Sequence, residues 1–379
     1  MKMPNHFDII VIGVGAMGAS TCFHLASRGA RVLGIEQFDI PHERGSHHGE
    51  SRMIRTAYYE QPKYVPLLQR ACTLWDELEE VSGRKLFYKV GGLYIGPPDG
   101  GLIYGSRKSA IAHSLDHRML SRDDLRREFP QFVVPESWQA ILEAAAGFLL
   151  PEKIVDSYAK LARERGAEIH TRETMRSWTA DARSATVTTD RATYEADQLI
   201  FTGGAWTQKL LMDLEVPLQV TRQVLGWVQP KKPELFQIGR LPAWAIDSLD
   251  GGVYYGFPMT PESAGFKLAH HHPAAPFDPD NPAREPRAED EDDFRPALQQ
   301  YISDADGPLV AMRICMYTNT PDHNFIIDRH PHHLRVQIAC GFSGHGFKFA
   351  SVIGEILADR ATIGESKLPI DFLALSRFS

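Results

Sequence analysis

Phe7–Glu36 reads FDIIVIGVGAMGASTCFHLASRGARVLGIE, and this stretch decides the fold. Phe7–Ile12 is a short apolar run rich in Ile and Val, as in a buried strand. Gly13–Gly18 interrupts it as a turn. Ala19–Arg28 has helical spacing, with Cys22, Leu25 and Ala26 on one face, and Gly29 closes it. Arg31–Ile35 is the next strand, ended by Glu36. The whole is a βαβ unit of about 30 residues.

Gly13, Gly15 and Gly18 form GxGxxG within that unit. The motif follows a strand, opens a helix and precedes an acidic strand end, the setting that makes it specific. Gly13 allows the tight turn, Gly15 lets the backbone approach a pyrophosphate, and Gly18 permits close helix–strand packing. The helix N-terminus offers free N–H groups and a positive dipole to phosphates. Glu36 can accept hydrogen bonds from ribose hydroxyls. The motif alone does not separate NAD from FAD, but two later features lean to FAD. Leu199–Gly204, LIFTGG, is a strand running into paired glycines. Gly341–Gly346 is a second glycine turn opening a helix, and its dipole suits the end of a flavin where negative charge collects on reduction.

Outward from this core, Pro41–Arg55 reads as a polar loop entering a helix near Ser51. Tyr64–Val81, Arg122–Phe129, Pro151–Arg165 and Phe347–Asp359 read as helices. Val90–Ile95, Glu168–His170, Thr186–Thr189, Gln198–Thr202 and Val336–Cys340 read as strands. From Val216 to about Pro308 the chain is rich in Pro, Asp and aromatic residues, with strand-like pieces at Gln223–Gln229, Gly252–Gly256 and Phe266–His270. Ala288–Phe294 reads as a solvated acidic loop. The expected fold is α/β: an FAD-binding Rossmann-like domain with a second, sheet-rich substrate-binding domain. The first comprises residues 1–85, 150–215 and 315–379, and the second residues 86–149 and 216–314.

Composition sets outer limits. The 379 residues are 43% apolar and 23% charged, ordinary for a globular protein. A net charge of −7 gives no overall basic field for nucleic acid, so an anionic ligand needs a local cluster of cations. No run approaches the roughly 18 apolar residues that span a bilayer, and no targeting signal is visible. Cys22, Cys72, Cys315 and Cys340 are scattered without a CxxC pair, so neither zinc nor a disulfide framework is expected. A cytoplasmic protein without membrane or nucleic-acid partners is the expectation.

Three segments concentrate reactive side chains. Gly45–Arg55, GSHHGESRMIR, carries two histidines, two serines and two arginines. In a helix from Ser51, Arg52 and Arg55 would share a face and bind a carboxylate, although a solvated basic turn fits equally. Adjacent His47 and His48 lack metal-ligand spacing. In Gly341–Ala350, GFSGHGFKFA, Lys348 falls in the first turn after the glycines. In Tyr255–Lys267, an alternating strand points Lys267 away from Phe266 and Leu268, with solvent its default destination. His270–His272 hint weakly at metal, and His330–His333 reads as a surface loop. Cys315 reads as a core cysteine. No metal site is expected.

These runs resemble the monomeric sarcosine oxidase family, including N-methyltryptophan oxidase, over nearly the whole chain. The specific ones are GSHHGESRMIR, YGFP at Tyr255–Pro258, CMYTNTPDHNFIID from Cys315, GFSGHGFKFAS from Gly341, and the closing LSRF at Leu375–Phe378. The resemblance implies FAD bound covalently through Cys315, with Ser51, Gly344 and Lys348 at the flavin. It implies Arg55 and Lys348 on a substrate carboxylate, Lys267 activating O2, Arg52 with His48 on the other flavin face, and Tyr255 and His271 lining the cavity. The implied reaction is oxidative demethylation of an N-methyl amino acid to the primary amino acid, formaldehyde and H2O2, by a monomer. A flavin oxidase acting at the alpha carbon and a non-catalytic dinucleotide-binding protein are the alternatives. The sequence departs from the family at Glu50 and Ser51, at Thr56-Ala-Tyr-Tyr where a His-Ala-Tyr-Gly run is usual, and by one extra residue between Tyr255 and Lys267. The last leaves Tyr254 and Tyr255 both open as the cavity tyrosine.

Overall fold

The computed structural model describes residues 6–249, 251–281 and 284–378. Apolar on both faces, His6–Ile12 becomes a central strand. Val32–Ile35 flanks it in parallel on one side and Thr193–Phe201 on the other. Glu168–His170 and His333–Cys340 extend the parallel sheet outward in the two directions. Chain order therefore diverges at His6–Ile12, and the carboxyl ends of it and of Thr193–Phe201 border a crevice of the kind that binds ligands. Antiparallel hairpins complete the sheet: Met175–Ala180 with Ala185–Thr189, and Ile326–His330 with His333–Cys340.

Helices Ala16–Ser27, Val65–Ser82, Pro151–Glu164 and Ala350–Thr362 share one apolar cluster on this sheet. The first begins three residues earlier than the sequence suggests, so Gly18 lies inside it. A Cβ on Gly18 would sit 1.9 Å from the Gly13 carbonyl oxygen, which explains why a poor helix former occupies a first turn.

The second sheet has eight strands in the order Leu309–Asn319, Gln219–Val228, Phe266–His271, Val253–Gly256, Ala243–Asp247, Gly92–Gly96, Gln139–Glu143 and Arg118–Leu120. Its pairings are antiparallel except that Ala243–Asp247 runs parallel to Gly92–Gly96. Alternation sorts its side chains. Trp244, Ile246, Tyr254, Phe266 and Leu268 face an apolar cluster roofed by the helix Arg295–Tyr301. Ala245, Tyr255, His271 and Cys315 face the crevice. A small third sheet pairs Arg52–Ile54 and Phe87–Tyr88 with Gly147–Leu149.

Four expectations need correction. The segment after Ser51 is the strand Arg52–Ile54, because its backbone pairs with Phe148 and Leu149 rather than with itself. The proposed boundary between residues 314 and 315 falls inside Leu309–Asn319, which pairs with Gln219–Val228 across that point. Ala288–Asp293 is a 3-10 helix, held where Asp290 grips Arg222 with both carboxylate oxygens. His330 is fully buried at a strand end: its Nδ1 accepts the His332 N–H at 3.3 Å, so its Nε2–H donates to Asp213 at 3.1 Å. Asp213, His330 and His333 form the one His/Cys/Asp/Glu group among the described residues close enough to hold an ion, but this hydrogen bond already accounts for the pairing. No described helix is long and apolar enough to cross a membrane.

Gly18→Ala should destabilise the fold by about 1–3 kcal/mol, since its Cβ meets backbone that cannot rotate away. Gly101→Ala meets no heavy atom of the described residues within 4 Å. It should stay within about 0.5 kcal/mol of the parent in urea denaturation.

Candidate active site

The crevice is one continuous cavity lined from Gly13, Gly15 and Glu36 at one end to Arg55, Tyr255, His271, Cys315, Gly344 and Lys348 at the other. Gly13 adopts φ +88°, and a Cβ there would lie 2.7 Å from the Thr202 carbonyl oxygen. The turn and Leu199–Gly204 thus meet in backbone contact. Glu36 is buried, its carboxylate accepting the Val14 N–H at 2.8 Å and the Phe38 N–H at 3.0 Å. Burial pushes its pKa up to about 7.

At the other end two cations converge. The Arg55 guanidinium carbon lies 4.5 Å from the Tyr58 ring centroid, and the Lys348 Nζ lies 5.3 Å from the same ring. Tyr59 covers Arg55 as well, at 4.4 Å. Glu60 receives two bonds from Arg55 Nη2, at 2.6 and 2.7 Å. Burial alone would raise the Glu60 carboxyl, but Arg55 holds it down at about 2. Burial and then Arg55 lower Lys348 to about 7, with Glu60 opposing them. Two cations and one anion leave this pocket with a surplus positive charge suited to a monoanion.

The expected helical pairing of Arg52 with Arg55 does not occur. Three residues along extended backbone point to opposite sides, so the two arginines part. Arg52 donates to the Ser51 carbonyl at 2.9 Å and the Ser46 carbonyl at 3.1 Å, with its Nη2 3.6 Å from the Cys315 sulfur. Cys315 is a free, buried thiol on the cavity wall.

Lys267 does not face solvent. It is 3% exposed and donates to the Gly49 carbonyl at 2.5 Å, the Ser51 carbonyl at 2.7 Å and the Ser51 hydroxyl at 3.1 Å. Burial pushes its pKa well down, yet three acceptors match the three protons of an ammonium. Lys267 and Ser51 line a smaller neighbouring cavity with Glu50 and Glu152, not the large one. Glu152 accepts the Gly49 and Glu50 N–H groups at 2.6 and 3.1 Å, which fixes the loop that holds Lys267. His48 is buried and neutral, its pKa pushed by burial to about 3, and it lies outside the cavity lining, whereas His47 lies on it.

Tyr255 is the cavity tyrosine. Tyr254 points to the other side of the sheet and stacks on His270 at 4.2 Å. Tyr255 pairs with Tyr317, whose hydroxyl lies 3.2 Å from His271 Nδ1. Burial holds His271 neutral, at about 4. Sequence reasoning missed Glu60, Tyr317 and His345. Each had a modest signal: the first acid after Arg55, the aromatic two residues past Cys315, and the histidine inside the second glycine turn. Tyr58 donates to His345 Nδ1 at 2.5 Å, because His345 Nε2 must donate to the His323 carbonyl at 3.0 Å. The His345 carbonyl in turn accepts from Lys348 Nζ at 2.8 Å.

The FAD dependent oxidoreductase family model matches residues 8–360. The chain belongs to this family. Monomeric sarcosine oxidase from Bacillus sp. is 40% identical over 99% of this chain and 98% of its own. N-methyl-L-tryptophan oxidase from Yersinia pestis is 33% identical over 98% of this chain and 99% of its own. Among solved structures, NikD, described as an unusual amino acid oxidase, superposes with a TM-score of 0.85 at 24% identity, covering 98% of this chain and 97% of its own. That likeness concerns the fold.

The residues present fit the family's FAD. Gly13 and Gly15 leave bare backbone before a helix N-terminus, and Glu36 stands at the second strand's end. On the same cavity wall, the His47 Nε2 is buried with no hydrogen-bond partner among the described residues, a polar atom that a bound group would satisfy. Gly344, at φ +78°, has no room for a side chain because a Cβ would meet the Tyr317 ring at 2.4 Å.

A lysine at this position could hold an anion only while protonated. Affinity for a small monocarboxylate such as methylthioacetate should therefore fall as pH rises through about 7. Glu60→Gln removes the group that supports the ammonium and should move this midpoint to lower pH. A pH titration of Kd by calorimetry checks both shifts; an unmoved midpoint would remove Lys348 from the anion site.

Proposed function

We propose that the chain is a monomeric, cytoplasmic oxidase that demethylates an N-methyl amino acid of the sarcosine or N-methyltryptophan type, with FAD attached through Cys315. The convergence of Arg55 and Lys348 on one cavity that also exposes Cys315 carries this reading. The names of its relatives support the substrate class, and four free cysteines suit a reducing compartment. We also assign the parallel sheet to FAD and the eight-stranded sheet, with the strand carrying Cys315, to the substrate.

Arg55 and Lys348 hold the carboxylate, which requires Glu60 to yield its place on Arg55. Orientation of this kind lowers a barrier by several kcal/mol. Tyr255, Tyr317 and His271 wall the reacting end and limit water there. Bound FAD would accept the electron pair from the N-methyl C–N unit and pass it to O2. The released imine hydrolyses to formaldehyde and the primary amino acid. Arg52 sits against the Cys315 sulfur, its guanidinium facing the atom that would bond to carbon. Lys267 lies buried behind Ser51 with three acceptors for its amine, and in its ammonium form it would favour charge developing on O2.

The holoenzyme should release formaldehyde and H2O2 in equal amounts from N-methyl amino acids. Ammonia without formaldehyde would shift the reaction to the alpha carbon. Acid-precipitated protein should stay yellow, and Cys315→Ala should shed its colour into the supernatant, whereas Cys22→Ala or Cys340→Ala should not. Lys267→Met should slow reoxidation by O2 about 10²–10³-fold while reduction by substrate changes far less. Stopped-flow traces with normal reoxidation would assign that role to another group.

A further inference from the structure

Tyr59 occupies a place in the cavity that neither the carboxylate clamp nor the cofactor requires. It lies beside Arg55 on the cavity lining, its ring over the guanidinium. Its position is fixed from behind. Gly105 of the helix Gly101–Ala112 approaches so closely that a Cβ there would lie 2.4 Å from the Tyr59 carbonyl oxygen. Ser109 of the same helix donates to the Tyr58 carbonyl at 2.5 Å. Met53, Tyr59, Val253 and Tyr255 all pack against one apolar cluster that includes Ala245, and all five line the cavity. This patch is apolar and aromatic. The charges beside it are Arg55, Glu60 and Lys348, which form the anion site, together with Arg52 near Tyr255 and Asp247 near Tyr59.

We propose that Met53, Tyr59, Ala245, Val253 and Tyr255 form a side-chain pocket for an uncharged aromatic amino acid, with Tyr59 supplying the stacking face. This rests on the reading of Arg55 and Lys348 as the carboxylate clamp. Once Arg55 holds a carboxylate, the substituent on the adjacent carbon falls within reach of the ring that covers Arg55. Sarcosine carries no substituent there and leaves the apolar lining unfilled. An acidic or basic side chain would lose its hydration against the apolar lining. An aromatic one gains contact with two tyrosine rings. The preferred substrate is thus an N-methyl aromatic α-amino acid rather than N-methylglycine.

The test compares two non-reacting thioether acids on the holoenzyme by calorimetry: methylthioacetate and 2-methylthio-3-phenylpropanoate. The wild type should bind the phenyl compound at least about tenfold more tightly, and the ratio should fall about tenfold in Tyr59→Ala while Tyr59→Phe keeps it. The kcat/KM ratio of N-methylphenylalanine to sarcosine should move in parallel. A wild type that prefers methylthioacetate overturns the pocket. So does a ratio unchanged in Tyr59→Ala, which would leave Tyr59 as a prop for Arg55. If Tyr59→Ala does not fold, Tyr59→Leu gives the same comparison, since it removes the stacking face and keeps bulk. Selective binding of the phenyl acid with no formaldehyde from any N-methyl amino acid would sink the demethylation reading and leave the pocket standing.

Discussion

The contact between Gly13 and the Thr202 carbonyl is the constraint on which the rest depends. Two strands distant in sequence end side by side, and their following residues touch through backbone. The Thr202 hydroxyl also donates to the Gly13 carbonyl at 2.6 Å. A side chain at either Gly13 or Gly18 would collide with this junction. Everything on the cavity wall, from Glu36 to Lys348, is referenced to that junction. The second sheet leans over it, with Tyr255 and His271 presented by alternation from two of its strands, so a one-residue slip of either strand would withdraw its side chain from the cavity.

The parallel core was legible because its signals are local. Ile9–Ile12, the glycine spacing and Glu36 lie within one short unit, and the physics of each turn acts over a few residues. The cavity-facing tyrosine was not legible, since sequence alternation gives two faces without saying which is which. The structure resolves this through the register of Tyr255 with Ala245 and Ala269. Arg52–Ile54 misled for a related reason: its polar pattern fits a helix, but partners from Gly147–Leu149 capture its backbone. Lys267 shows the limit most clearly. Nothing next to it in sequence supplies the carbonyls of Gly49 and Ser51, more than two hundred positions away. Burial of that amine depends on a loop that Glu152 holds from a third segment.

The charges of the site are arranged as a set. Arg55 lies between two tyrosine rings, with its outer edge on Glu60. Lys348 shares the Tyr58 ring and rests on the His345 carbonyl. Tyr58 thereby serves both cations, and its hydroxyl donates to the His345 nitrogen left unprotonated because Nε2 donates to the His323 carbonyl. Such a network loses more from the removal of one member than from the loss of a single hydrogen bond, because each remaining charge is left buried with fewer partners.

On the proposed carboxylate clamp, the pairing of Glu60 with Arg55 gives the resting protein its own competitor. An incoming acid would trade places with a tethered carboxylate, so its affinity would be the difference between two similar interactions. Tight capture would be forgone, and a product that keeps the same carboxylate would face the returning group it had displaced.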